Sequence, residues 1–198
     1  MTDYFFKYVG CLKSLKETSK DTANQEYMTN CEGIVFDFDS IKQEYTKCLS
    51  MSYTVCKSCD ALKWDDTHKI LIEFKNRYLL PSVFSINSNF NNKEIKDKIQ
   101  ASLLLLCDIV NTNISKTREE LDFILVYDKD VKPLTNDEKE LLVQESSSRV
   151  EIGGILGKLA HTPLVRFDLE KYKGFYFKHV LTLTGEEFES WVEASFVS

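Results

Sequence analysis

Several things are missing from this chain of 198 residues. No apolar run approaches the roughly 20 residues that a membrane-spanning helix needs. The first residues, Met1 to Lys7, carry an early acid and no cleavable signal pattern. The expected location is therefore the cytoplasm, in a bacterial cell. There is no GxGxxG and no GKS or GKT, so the glycines of Gly153-Gly154-Ile155-Leu156-Gly157 do not form a phosphate-cradling loop. There is no GxSxG, and the three histidines, His68, His161 and His179, are scattered, which leaves serine-hydrolase chemistry without support. No internal repeat or linker breaks the chain, and a single domain over 1–198 is expected.

Positive charge is also scarce. Lys and Arg number 25 against 31 acids, a net charge of −6, which argues against a protein that coats nucleic acid nonspecifically. One stretch departs from this balance. Between Lys69 and Gln100, six bases (Lys69, Lys75, Arg77, Lys93, Lys96 and Lys98) face three acids (Glu73, Glu94 and Asp97), a local net of +3. A substrate-facing side is expected there.

Cysteine occurs six times, with one CxxC at Cys56 and Cys59 and no second CxxC or HxxxH to complete a zinc knuckle. An extended segment would place Cys56 and Cys59 on opposite faces. Free thiols fit best, and disulfides are not expected in a reducing compartment. A zinc-stabilised module on Cys48, Cys56 and Cys59 is the weakest of three functional readings.

What is present centres on residues 59–77. Ala61 to Trp64 and Ile70 to Ile72 are apolar runs around the polar turn Asp65-Asp66-Thr67-His68, the pattern of a β-hairpin. In the second strand, Glu73 and Lys75 are two apart and share a face, while Ile70, Ile72 and Phe74 share the other. Antiparallel pairing brings Asp60, ahead of the first strand, close to the end of the second. Two carboxylates and an amine at one end suit phosphodiester hydrolysis. Carboxylates bind Mg²⁺ or Mn²⁺, such a metal activates water, and the lysine can orient that water or offset transition-state charge. A surface hairpin with an ordinary Glu–Lys neighbour pair is the other reading of the same residues.

Asp60, a hairpin and then Glu73-Phe74-Lys75 resembles the PD-(D/E)xK nuclease superfamily, and the surrounding text is similar to the form found in many bacterial members. Cys59 stands where a proline often precedes the first acid. The resemblance covers about 40–130. It implies a restriction-endonuclease-like core, a bound Mg²⁺ or Mn²⁺, a nucleic-acid substrate (DNA or RNA) and a setting such as bacterial defence. It assigns Asp60 and Glu73 as metal ligands and Lys75 as the residue serving the attacking water. It also implies a helix acid ahead of Asp60, for which Glu44 is the candidate, with Glu26 and Glu32 behind it. A solvated charge beside Lys42 and Lys47 is the alternative for Glu44. On the following helix it implies a polar residue at the site, matched by Lys96 or Gln100, and Arg77 joins Lys96 as a substrate-binding candidate. Solvation explains Lys96 and Gln100 equally well.

The rest of the chain reads as α/β with a mixed central β-sheet flanked by helices. Helix is predicted over 1–20, loop over 21–30, and a strand or helix entry at Gly33 to Asp39. A helix capped by Asp39 or Ser40 follows, running to about Cys48. Extended structure is predicted from Met51 to Cys56 and a helix from Asn92 through Val110. A buried strand at Asp122 to Asp128 and a helix from Pro133 follow. Later strands are predicted at Leu164 to Phe167 and Gly174 to Thr184, then a final helix capped by Thr184 and Glu187. The last segments form α/β additions to the core. Besides the nuclease, the residues admit a binding or structural module that keeps the fold without the chemistry. Either reading admits a homodimer or a partner protein.

Overall fold

A computed structural model describes residues 3–22, 25–50, 56–75, 89–128, 165, 167 and 169–196, with backbone alone for 89–92. A 3-10 helix, Asp3–Cys11, seats Phe5 and Tyr8 in the core. Strand β1 (Leu12–Ser14), the single turn α1 (Leu15–Thr18) and a small hairpin of β2 (Lys20–Asp21) and β3 (Glu26–Tyr27) follow. Next come β4 (Ile34–Asp37), helix α2 (Phe38–Cys48), β5 (Ala61–Trp64) and β6 (Lys69–Lys75). Helices α3 (Asn89–Ile109) and α4 (Ile114–Glu120) lead to β7 (Asp122–Tyr127), and β8 (Val180–Thr184) leads to helix α5 (Gly185–Phe196).

Six strands form one mixed sheet in the order β1-β4-β5-β6-β7-β8. The first four pair antiparallel, and β6 with β7 and β7 with β8 pair parallel. The chain is thus α/β with a mixed sheet flanked by helices. Parallel pairing of β6 and β7 needs a crossover, and α3 lies in that connection. The hairpin closes where the sequence places it. Asp65 Oδ1 accepts the backbone N–H groups of Thr67 at 2.9 Å and His68 at 2.6 Å, so the aspartate builds its own turn.

Period-two alternation in β6 sorts its side chains into two cores. Leu71 joins Leu62, Phe123 and Leu125 against Ile95, Ile99, Leu103 and Leu106 of α3. Ile70, Ile72 and Phe74 join Ala61, Ile124 and Val126 against Phe188 and Val192 of α5. Phe123 to Val126 have no exposed surface, as expected for a central strand with both faces covered. Among the described residues no helix is long and apolar enough to cross a membrane.

Several local expectations change. The helix predicted over 1–20 is a 3-10 helix, a strand and one turn, because Leu12 to Ser14 pair with Ile34 to Phe36. The loop predicted over 21–30 includes β3, paired to β2. Helix α2 is capped by Asp37, whose carboxylate accepts the Ser40 N–H at 3.1 Å, two or three residues earlier than predicted. Phe167 sits in a turn with φ +63°, not in a strand. The strand predicted from Gly174 begins at Val180, because Gly174 to Phe177 fold back on Tyr172 in a turn. Helix α3 begins at Asn89 rather than Asn92. Helix α4, capped by Asn113, had no predicted counterpart. The final helix has its expected cap, with Thr184 N–H on Glu187 Oε2 at 2.7 Å and Glu187 N–H on Thr184 Oγ1 at 3.3 Å. Met51 to Val55, the helix from Pro133 and the glycines at 153–157 lie outside the described residues.

Candidate active site

Asp60 is fixed before its carboxylate does anything. Its N–H donates to the Ile72 carbonyl at 3.1 Å, and its carbonyl accepts the N–H of Phe38, the first residue of α2, at 3.0 Å. The carboxylate then turns across the hairpin, and Oδ2 accepts the Phe74 N–H at 2.7 Å. Phe74 thus supplies an apolar side chain to one core while its backbone orients the acid on the other face. Glu73 follows the strand alternation onto the α3 side, opposite Leu125 of β7, and is fully buried.

Between these two acids lies an amine that the sequence reading did not select. Lys98, on α3, places Nζ 3.1 Å from Asp60 Oδ1 and 2.7 Å from Glu73 Oε1. Lys75 Nζ stands 3.8 Å from the same Glu73 oxygen and 3.2 Å from Glu94 Oε2. Glu94 Oε1 in turn accepts from Lys57 at 3.1 Å. Charges therefore alternate in sign along Asp60, Lys98, Glu73, Lys75, Glu94 and Lys57.

Burial sets the electrostatics. It pushes the Asp60 carboxyl above its ordinary range, although Lys98 pulls the other way. It pushes Glu73 up further, helped by the Asp60 charge beside it and opposed by Lys98. Burial works against the Lys98 ammonium too, but the attraction of Asp60 and Glu73 prevails and raises its pKa. Glu94 is partly desolvated, yet Lys57 and Lys75 hold it down at about 2. Cys59, fully buried behind the site, has its thiol pushed well up by burial and by Glu73, which makes it a poor nucleophile.

A polar cleft of about 230 Å³ opens beside this array, bordered by Asp60, Phe74, Lys75 and Glu94 and, across the gap, by Thr18 to Thr22. A larger cavity of about 310 Å³ lies elsewhere, next to the ends of β7 and β8, with Glu26, Asp128, Glu186 and Glu189 in its wall. Acid-lined walls repel polyanions, so the smaller cleft is the candidate site.

The structure brings Asp60, Glu73 and Lys75 together and places Glu44, Glu26, Glu32, Lys96 and Gln100 outside their array. Glu44 is exposed on α2 and pairs with Lys47 at 2.6 Å, because the helix runs away from the hairpin after its first turn. The α2 acid on the Asp60 side is Asp39, which accepts from the Ser58 hydroxyl and from Lys42 at 2.6 Å and helps raise the Asp60 carboxyl. Glu32 and Glu26 are not in the array; Glu32 lies 4.0 Å from Lys16 and Glu26 in the small hairpin. Gln100 is exposed. Lys96 is two residues from Lys98, so helical geometry carries both Lys96 and Gln100 to the opposite flank of α3. Arg77 lies outside the described residues.

The donor chemistry fits a hard divalent ion in part. Two carboxylates converge on one cation position, and Glu73 Oε2 is buried with no hydrogen-bond partner among the described residues. The ammonium of Lys98 stands at that convergence, so a metal there requires Lys98 to move. Among the described residues no three His, Cys, Asp or Glu side chains are grouped to hold a metal. The zinc arrangement does not assemble: Cys48 is exposed at the end of α2 while Cys59 is fully buried.

The raised Glu73 carboxyl has a pH consequence. Its folded pKa lies above its ordinary value of 4.5, so the stability it contributes is fully present below the unfolded pKa and is lost as pH rises through the folded one. Glu73→Gln should match wild type near pH 4 and become more stable than it above pH 5. The gap should widen by up to about 1.4 kcal/mol per pH unit. Denaturant unfolding of both proteins from pH 4 to 8 reads this directly; parallel curves would show that Glu73 titrates normally.

Comparison of the chain with protein-family models, curated proteins and solved structures finds no match.

Proposed function

We propose that this protein is a metal-dependent nuclease of the PD-(D/E)xK type. One observation carries the reading: Asp60 and Glu73 converge on a single cation position, with the Lys75 ammonium 3.8 Å from the same Glu73 oxygen. Asp60 and Glu73 would hold Mg²⁺ or Mn²⁺. When bound, the ion would lower the pKa of a coordinated water and stabilise charge on a phosphate. The chain's own residues do the rest. The Phe74 N–H keeps Asp60 aimed. Glu94 holds Lys75 at the cleft wall, where its ammonium can orient a water or offset charge on a phosphate oxygen. An antiparallel hairpin, a helical crossover and a parallel strand around this site support a restriction-endonuclease-like core. The nucleic acid enters as DNA or RNA.

Lys98 favours a second reading, a binding or structural module in which its ammonium is the permanent counter-ion and no metal enters. Incubation of the protein with single- and double-stranded DNA and RNA, with Mg²⁺ or Mn²⁺ and with EDTA, separates the two. The nuclease cleaves at least one of these substrates and EDTA stops it. Lys75→Ala loses that cleavage below its own melting temperature, and Glu73→Gln loses it while staying folded. Lys75 is only 14% exposed, so Lys75→Ala also costs stability. No cleavage of any substrate, with a melting temperature indifferent to both ions, leaves the silent module.

A further inference from the structure

We propose that Lys98 is an internal cation that holds the carboxylate pair together until a divalent ion displaces it. The inference rests on the metal-site reading above and adds a residue and a sequence of events to it. The ammonium touches one oxygen from each acid, at 3.1 Å and 2.7 Å, and so occupies the position where a shared metal would bridge them. It fills that position incompletely. Glu73 Oε2 remains buried without a partner among the described residues, an acceptor that a many-ligand cation would use and this ammonium does not. Two acids brought this close without a cation would repel each other in a poorly solvated pocket, so an internal counter-ion lets the pair persist before metal arrives.

Displacement has a place to go. Lys98 stands on a flexible four-carbon stem. Glu94, one helical turn earlier on α3 and therefore within side-chain reach, borders the cleft. Exchange of one positive charge for two leaves the site one unit more positive, and it shifts the freed ammonium toward the side where a phosphate would lie. The metal therefore competes with a built-in ligand, and its affinity is set by Lys98 as well as by Asp60 and Glu73.

Mn²⁺ titration by calorimetry on wild type, Lys98→Met and Lys98→Met with Asp60→Asn tests this. Lys98→Met should bind Mn²⁺ at least roughly tenfold more tightly than wild type, about 1.4 kcal/mol, and the added Asp60→Asn should abolish the gain. Should Lys98→Met not fold, ¹⁵N spectra of the lysine ammonium groups in wild type provide the second readout, with the Lys98 signal assigned by its loss in Lys98→Arg. That signal should shift and lose its protection from exchange as Mg²⁺ is added. Equal Mn²⁺ affinity in wild type and Lys98→Met, or a Lys98 signal unmoved by Mg²⁺, overturns the inference. Metal-dependent cleavage seen together with either of those results leaves the nuclease standing without it. Measurable Mn²⁺ binding in wild type that tightens in Lys98→Met, with no cleavage by wild type, supports the inference and removes the nuclease; binding in Lys98→Met alone makes Lys98 a permanent counter-ion and overturns the inference.

Discussion

Lys98→Met is expected to lower the unfolding free energy by about 3–5 kcal/mol at neutral pH, the range for removal of one partner from a buried ion pair. The reason is the state it leaves behind. Glu73 has no exposed surface and one unpartnered oxygen already, and Asp60 stands beside it. Without Lys98, the nearest amine to Glu73 among the described residues is Lys75 at 3.8 Å, which Glu94 also holds. Methionine fills the volume of the lysine stem, so the loss reports charge and not a cavity. The cost should shrink as pH falls, because the raised Glu73 carboxyl takes up a proton and loses its charge, and most of it should return when Glu73→Gln is added. Urea unfolding at pH 5 and pH 7.5 measures both. A cost below about 1 kcal/mol at pH 7.5 is the size of an exposed pair, and would mean that water reaches Glu73.

Phe74→Ala should cost a similar amount, about 3–5 kcal/mol, by an unrelated route. Phe74 is 8% exposed and meets Phe188 edge to face, with ring centroids 5.7 Å apart and planes at 87°. Its truncation leaves a void between β6 and α5. The contact to Asp60 comes from the Phe74 backbone, so it survives the substitution, and any cleavage activity per folded molecule should persist. Thermal melts together with activity normalised to the folded fraction separate the two effects. A stable but inactive Phe74→Ala would mean that the ring, and not the N–H, supports the site.

Neighbouring residues in the sequence were legible to different depths. Period-two alternation assigned both faces of β6 correctly, since a strand offers only two directions for a side chain. The Asp65 turn and the Thr184 cap were legible because hydrogen bonds from side chains within a few residues decide each. Lys98 was not. The apolar stripe of α3 at Ile95, Ile99, Leu103 and Leu106 has two flanks, one with Glu94 and Lys98 and the other with Lys96 and Gln100. Periodicity alone does not say which flank meets the end of the hairpin. The hand of the crossover from β6 to β7 decides that, and the right-handed preference of such connections was the unused signal. The position of Glu44, away from the array, was hidden for a related reason. Its distance along the chain from Asp60 says nothing about helix direction, and Phe38, not Glu44, is the α2 residue tied to Asp60.

The strands of the large sheet stand in space in the same order as they occur in the chain. During synthesis the sheet can therefore grow from one side, each new strand adding to the last without insertion between earlier ones. Until Asp122 to Tyr127 emerge, β6 is the growing edge, and its unpaired backbone would template association with another molecule. Glu73 and Lys75 sit on that strand. Inward-pointing charges are a known defence of exposed edges, and the two side chains that form the candidate site are charges of that kind on this strand. Replacement of both by apolar residues would remove these charges at the stage when the strand is the growing edge.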